Sequence, residues 1–167
     1  MYVGHAAIAT LVKGKRPNLS LTLLVPVAFG PDWIDILSHV VHHPNPDISH
    51  SLLSVVVCSV VVGLCTVRAF GSADAAIVGA TYLSHWPADW ITGLKSVWPN
   101  GPSFGLQLYT HAGIDFVVES LLVVACWLVY RASLRPESRN SVLTYLLPLG
   151  LIALQAGFAL VHAPTLT

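Results

Sequence analysis

Residues 19–43 read LSLTLLVPVAFGPDWIDILSHVVHH, an apolar run broken at its middle by Gly30-Pro31, with two aspartates just beyond the break. Spanning ~30 Å of hydrocarbon takes about 20 helical residues, so the run is long enough to cross a bilayer. Pro31 lacks the N–H that a continuing helix requires, yet its fixed φ suits the first turn of a new one. The run therefore predicts two half-helices, 18–29 and 31–43. Asp32 and Asp35 fall at the start of the second, where the positive end of the helix dipole favours anions. A break at membrane depth is tolerated only where it lines a cavity or is buried in protein.

Outward from this run, segments 51–70, 73–94, 112–130 and 142–162 also reach spanning length. Residues 2–12 are too short and predict a half-inserted or interfacial helix. The chain is 54% hydrophobic and 10% charged, with a mean hydropathy of +0.70, which makes lipid the expected solvent. The expected fold is all-α: a polytopic helical membrane protein with about five spans, a broken first span and a short N-terminal half-helix. It forms a single integral membrane domain over residues 1–167. The start of the chain lacks a basic n-region and a small-residue cleavage site, so no cleavable signal peptide is expected. A net charge of +0 leaves no basic footprint for nucleic acid. Cys58, Cys65 and Cys126 lie in apolar runs without metal spacing and predict small buried hydrophobes.

Orientation follows from lysine and arginine. With these spans, Lys13, Lys15 and Arg16, then Arg68, then Arg131, Arg135 and Arg139 share one face, and only Lys95 falls on the other. The positive-inside rule makes the first face cytoplasmic. The outer face then receives loops 39–50 and 95–111, and Trp33, Trp86, Trp90 and Trp98 lie toward it as an interfacial aromatic belt would. The same topology gathers Asp32, Asp35, His50, His85 and Asp89 in the outer half of the membrane.

A carboxylate at the centre of a spanning helix costs about 2.5–3.5 kcal/mol on insertion scales, so pairing, metal or water must offset these aspartates. His85 and Asp89 are spaced i, i+4 and share one helix face, a two-ligand arm for a divalent metal. Between them Pro87 frees the Leu83 carbonyl and disfavours helical geometry at Trp86, which predicts a kink there. Asp32 and Asp35, at i, i+3, form a second arm, and His50 and His5 add imidazoles. Each residue alone also suits a hydrogen-bonded polar group in helix packing. Their convergence points to a bound divalent metal, and mixed His/Asp ligands suit zinc or manganese. Glu119, with Asp115 one turn earlier, suits a general base, a carboxylate orienting a histidine ligand, or an interhelical hydrogen bond. His39, His42 and His43 form an HxxHH pattern like that of di-iron desaturases, but the further histidine clusters such a site needs are absent from the sequence.

The motifs come in a recognisable order: Gly4-His5, Pro31-Asp32-Trp33-Ile34-Asp35, Ser49-His50-Ser51-Leu52-Leu53, Leu83-Ser84-His85-Trp86-Pro87-Ala88-Asp89, then Trp98-Pro99-Asn100-Gly101-Pro102. Over roughly residues 3–131 this resembles the YdjM-like group of small bacterial inner-membrane metal-dependent hydrolases. Pro87 departs from that group by interrupting its His-x-x-x-Asp helix. The resemblance implies a multi-pass bacterial inner-membrane protein with a metal centre carried by His5, Asp32, Asp35, His50, His85 and Asp89.

The expected chemistry is hydrolysis, with Asp32 as the bridging or water-activating carboxylate and Glu119 as a further catalytic candidate. The expected partners are membrane lipid and an amphiphilic substrate, a lipid or lipid-linked (phospho)ester. The competing expectation is a small transporter or proton-conducting protein, since broken helices and intramembrane carboxylates serve that purpose too. With five or six membrane segments and no internal repeat, that alternative calls for a homo-oligomer.

Overall fold

The computed structural model describes residue 1, residues 3–41 and residues 46–162, without the side chains of residues 46, 47 and 162. His42, His43 and the side chain of His162 lie outside the described residues. The helices are α1 (Gly4–Lys15), α2 (Leu21–Ala28), α3 (Gly30–Val40), α4 (Pro46–His50), α5 (Leu52–Leu83), α6 (His85–Thr92), α7 (Ala112–Ser133), α8 (Pro136–Arg139) and α9 (Val142–His162). Between α6 and α7 a two-stranded antiparallel ribbon pairs β1 (Lys95–Ser96) with β2 (Ser103–Phe104), followed by a 3-10 turn at Leu108–Thr110.

The outside of the bundle is apolar and much of its inside is polar. Val56, Val57, Val60, Val61 and Leu64 on α5, Leu121 and Leu128 on α7, and Leu146 and Leu149 on α9 are all exposed. His5, Ser59, Thr81, His85, Asp89, Asp115, Glu119 and Gln155 are buried. In water this arrangement would be unstable. In lipid it is the expected one, because the helices gain nothing by hiding leucine from acyl chains and polar side chains serve between them. Three helices are long and apolar enough to cross a membrane: Leu52–Thr92, Ala112–Ser133 and Val142–Val161. A fourth crossing results if the bent pair Leu21–Ala28 and Gly30–Val40 is one span.

That pair is the expected broken helix, with a bend of 62°. α2 opens on Ser20, whose Oγ accepts from the Leu23 N–H at 3.2 Å. α3 restarts at Gly30-Pro31, where the missing proline N–H falls among the unpaired groups of a first turn. At the other proline the chain behaves differently from expectation. The break lies at Ser84, and α6 begins at His85, so Pro87 occupies the first turn of a new helix and Trp86 is helical. The freed carbonyl of Leu83 thus lies at the end of α5, where no helical partner is required.

The element Leu52–Leu83 is not one rod. Gly71 has φ +77° and ψ 164°, a conformation open essentially to glycine alone. Beyond it the chain runs back along itself. A Cβ on Gly79 would lie 2.7 Å from the Ser59 carbonyl oxygen, and one on Gly63 would lie 3.9 Å from the Cα of Gly79. In a straight helix residues 63 and 79 would be separated by about 24 Å. The two arms pack through Ser59, Gly63, Ala75 and Gly79, small residues that permit close backbone approach. Gly79→Ala is expected to destabilise by about 1–3 kcal/mol, because the obstacle is backbone and cannot rotate away. Thermal unfolding in detergent, with Gly113→Ala as the control in open space, reads this directly.

Of the two placements that its length suggested, half-inserted or interfacial, α1 does not take the surface one. Its residues His5, Ala7, Ala9, Thr10 and Gly14 are buried, and Gly14 packs against the backbone of Tyr130 on α7. One apolar cluster joins Val3 and Ala7 to Val123 and Cys126, and another joins Ala9 to Leu19, Leu24, Ala28 and Val78. Small side chains let α1 lie inside the bundle rather than along its surface. Of the cysteines, Cys126 is buried, Cys58 half-buried and Cys65 exposed on the apolar exterior.

Arg16 at the end of α1 pairs with Asp74, just past Gly71, at 3.6 Å. The basic end of α1, the tip of the α5 reversal and the end of α7 therefore lie together. Lys95 is paired at the opposite end, beside the start of α1.

Candidate metal centre

Four elements converge at that opposite end: the first turn of α1, the first turn of α3, the end of α4 and the first turn of α6. They bring together His5, Asp32, His50, His85 and Asp89. Two three-residue groups result, His5/Asp32/His85 and His50/His85/Asp89, each offering one ligand atom per residue within 4.8 Å of the others. Ligands bound at about 2.0–2.2 Å to one zinc ion lie no more than ~4.4 Å apart, so both groups are near coordinating spacing.

His85 is common to both, and its ring is fully buried. Its Nδ1 donates to the carbonyl oxygen of Ala28 at 2.9 Å, since a carbonyl can only accept. The Nδ1 proton would leave Nε2 of a neutral ring as a bare lone pair, and this buried atom has no hydrogen-bond partner among the described residues. It faces Asp89 Oδ2 at 3.3 Å and Asp32 Oδ1 at 3.7 Å. A lone pair directed at two carboxylates is repulsive, so either a second proton on the ring, pairing Nε2 with Asp89, or a metal cation must lie between them. A backbone carbonyl fixing the far nitrogen is also how metal-ligating histidines are oriented.

The other imidazoles surround it. The ring of His5 stacks on that of His85 at 3.9 Å between centroids, 9° from parallel. Its Nε2 lies 3.1 Å from Asp89 Oδ1. Burial drives the His5 ring down to about 4 against the upward pull of Asp89, so it is neutral at pH 7, as a ligand must be. The Nε2 of His50 lies 3.1 Å from Asp32 Oδ1 and 3.9 Å from Asp89 Oδ2, while its Nδ1 meets the Ser49 hydroxyl at 2.7 Å.

Asp89 is the hub of the charges. Lys95 Nζ lies 2.6 Å from its Oδ2, and the α-amino group of Met1 is salt-bridged to its Oδ1. The sequence reading set Lys95 aside as the one basic residue on the wrong face, and it missed this ion pair. Nothing in local spacing signals the pair, since six residues separate the partners across the end of α6 and the turn into β1.

The remaining candidates lie elsewhere. Asp35 lines the mouth of the cavity with Phe29, Asp32, His50, Asp89 and Lys95, a space of about 410 Å³, but it joins neither three-residue group. Its neighbour His39 is exposed and bonds through Nδ1 to the Asp35 carbonyl at 2.9 Å. Glu119 is fully buried and accepts through Oε2 from the backbone N–H groups of Val3 and Gly4, at 2.8 and 3.0 Å. It thus caps the helix that carries His5, an interhelical hydrogen bond made to backbone N–H groups. His111 is exposed ahead of α7.

Fold and site together define a helical protein with an apolar exterior, three or four helices able to cross a membrane, and a buried His/Asp cluster able to hold a metal ion. No family model, no curated protein and no solved structure matches this chain.

Proposed function

We propose that this chain is a five-span bacterial inner-membrane hydrolase of the YdjM-like type, dependent on zinc or manganese and acting on a lipid or lipid-linked (phospho)ester from the outer face. The observation that carries the reading is the buried, unpartnered Nε2 of His85, held between two carboxylates by the Ala28 carbonyl. Counting the two arms of the Gly71 reversal and the bent α2–α3 pair separately brings the crossings to five. Seven of the eight lysines and arginines then share one face, and the positive-inside rule, taking that face as cytoplasmic, supports an outward-facing cluster.

His5, Asp32, His50, His85 and Asp89 would hold the ion. A divalent ion so held supplies a coordinated water with its pKa lowered toward ~7 and stabilises negative charge on the substrate. Asp32 is the group placed to take a proton, because its carboxylate is 37% exposed at the cavity while that of Asp89 is 7% exposed. His50 holds Asp32 in position through Nε2, and Lys95 balances the charge on Asp89. Phe29, Tyr109 and Phe158 line the cavity beside these polar groups, which suits an amphiphile with its head at the cluster.

Elemental analysis of the detergent-purified protein is expected to find stoichiometric zinc or manganese. Hydrolysis of a phosphodiester presented in mixed micelles should disappear on chelation and return with the metal. Absence of metal, together with proton or ion flux in liposomes, would replace the enzyme with a transporter.

A further inference from the structure

A second polar site lies away from the imidazoles, between α7 and α9. Asp115 and Gln155 are 3% and 0% exposed, and Gln155 Nε2 donates to Asp115 Oδ2 at 3.0 Å. The other oxygen of each group, Asp115 Oδ1 and Gln155 Oε1, is buried without a hydrogen-bond partner among the described residues. Rotating the amide does not help, because it would set an oxygen against Oδ2 in place of the N–H. Two orphaned acceptors inside helices of spanning length are costly, and a lone carboxylate there is costlier still.

One proton removes both orphans. A protonated carboxyl has one O–H donor. Carboxyl and primary amide each present two polar atoms at similar spacing, so they can pair through two parallel hydrogen bonds. We propose that Asp115 and Gln155 form an intramembrane proton-binding site, with Asp115 carried as the neutral acid and its Oδ1–H donating to Gln155 Oε1. The charged groups facing it are the Glu119 carboxylate one turn along α7 and the α-amino group of Met1 ahead of α1; α9 contributes the neutral Gln155. The packing of α7 on α9 is then linked to a proton, and base opens the ring that acid closes.

Asp115→Asn tests this in the full-length protein, because an asparagine amide can donate to Gln155 Oε1 and accept from Gln155 Nε2 as the neutral acid does. The infrared difference spectrum of wild type minus Asp115→Asn at neutral pH should contain the carbonyl stretch of a protonated carboxyl. Asp115→Asn should melt like the wild type at neutral pH and lose the fall in melting midpoint that the wild type suffers toward alkaline pH. Gln155→Leu, which leaves the acid without its partner, should lower the midpoint by several degrees. Melting in sodium, potassium, calcium or choline chloride should give the same midpoint at equal ionic strength. A missing carboxyl band would overturn the proposal. So would a stabilising effect of one metal cation that Asp115→Asn abolishes, which would make this a cation site.

Discussion

His85→Ala protein is expected to keep its helical circular dichroism and to lose its divalent metal, with affinity falling by at least about 100-fold. The floor comes from the outer partners of metal ligands, whose removal alone typically costs 10–100-fold. His85 contributes more than an outer partner, since it is the one residue shared by both candidate ligand groups. The fold should survive because the ring's hydrogen bond to the Ala28 carbonyl is the main one lost, and an unsatisfied carbonyl costs about 1–3 kcal/mol. Asp35→Ala is the matched comparison. It removes a carboxylate that lines the same cavity but belongs to neither group, and it should retain its metal. Titration with zinc or manganese against a competing chelator reads both variants. Equal affinity in wild type and His85→Ala would remove the metal from the account and leave the histidine as a packing residue.

The legible parts of this protein were those that depend on neighbours along the chain. Gly30-Pro31 marked the broken helix because proline chemistry is local. His85 and Asp89 declared a shared face because a helix repeats every 3.6 residues. The spans 51–70 and 73–94 implied a reversal between them, because each run is long enough to cross by itself, although the glycine that makes the turn was not singled out. What stayed hidden depends on how separate helices pack. Residues 2–12 looked half-inserted or interfacial by length alone. Their place inside the bundle follows from the small faces of Ala7 and Gly14, which meet α7, and of Ala9, which meets α2 and α5, all far away in sequence. Lys95 looked like an exception to a charge rule, when it pairs with a buried aspartate six positions earlier. Gln155 sits in an apolar helix with nothing beside it to mark it, and acquires a meaning only when α9 meets Asp115. Asp35 shows the opposite failure: i, i+3 spacing put it on one face with Asp32, but the ligand geometry at the cluster draws on only one of the two.

The same distinction governs Glu119, where the two possible roles give opposite experimental signatures. Glu119→Leu is expected to destabilise the protein by about 2–6 kcal/mol, since it leaves the Val3 and Gly4 N–H groups buried without an acceptor at about 1–3 kcal/mol each. The carboxylate also lies at the positive end of the α1 dipole, so its charge contributes beyond its lone pairs. His5 follows one residue after Gly4. Loosening that first turn therefore moves an imidazole of the cluster, and metal affinity should fall together with the melting midpoint. Glu119→Gln keeps an oxygen that can accept from the same N–H groups and gives up only the charge. It should recover most of the stability and most of the metal affinity. A general base behaves the other way: Glu119→Gln would abolish turnover while the midpoint and the metal content stayed at wild-type values. Measuring all three quantities on the two variants separates positioning from catalysis. The packing of Glu119 under α1, with His5 one residue along, makes loss of stability and loss of metal in step the expected pattern.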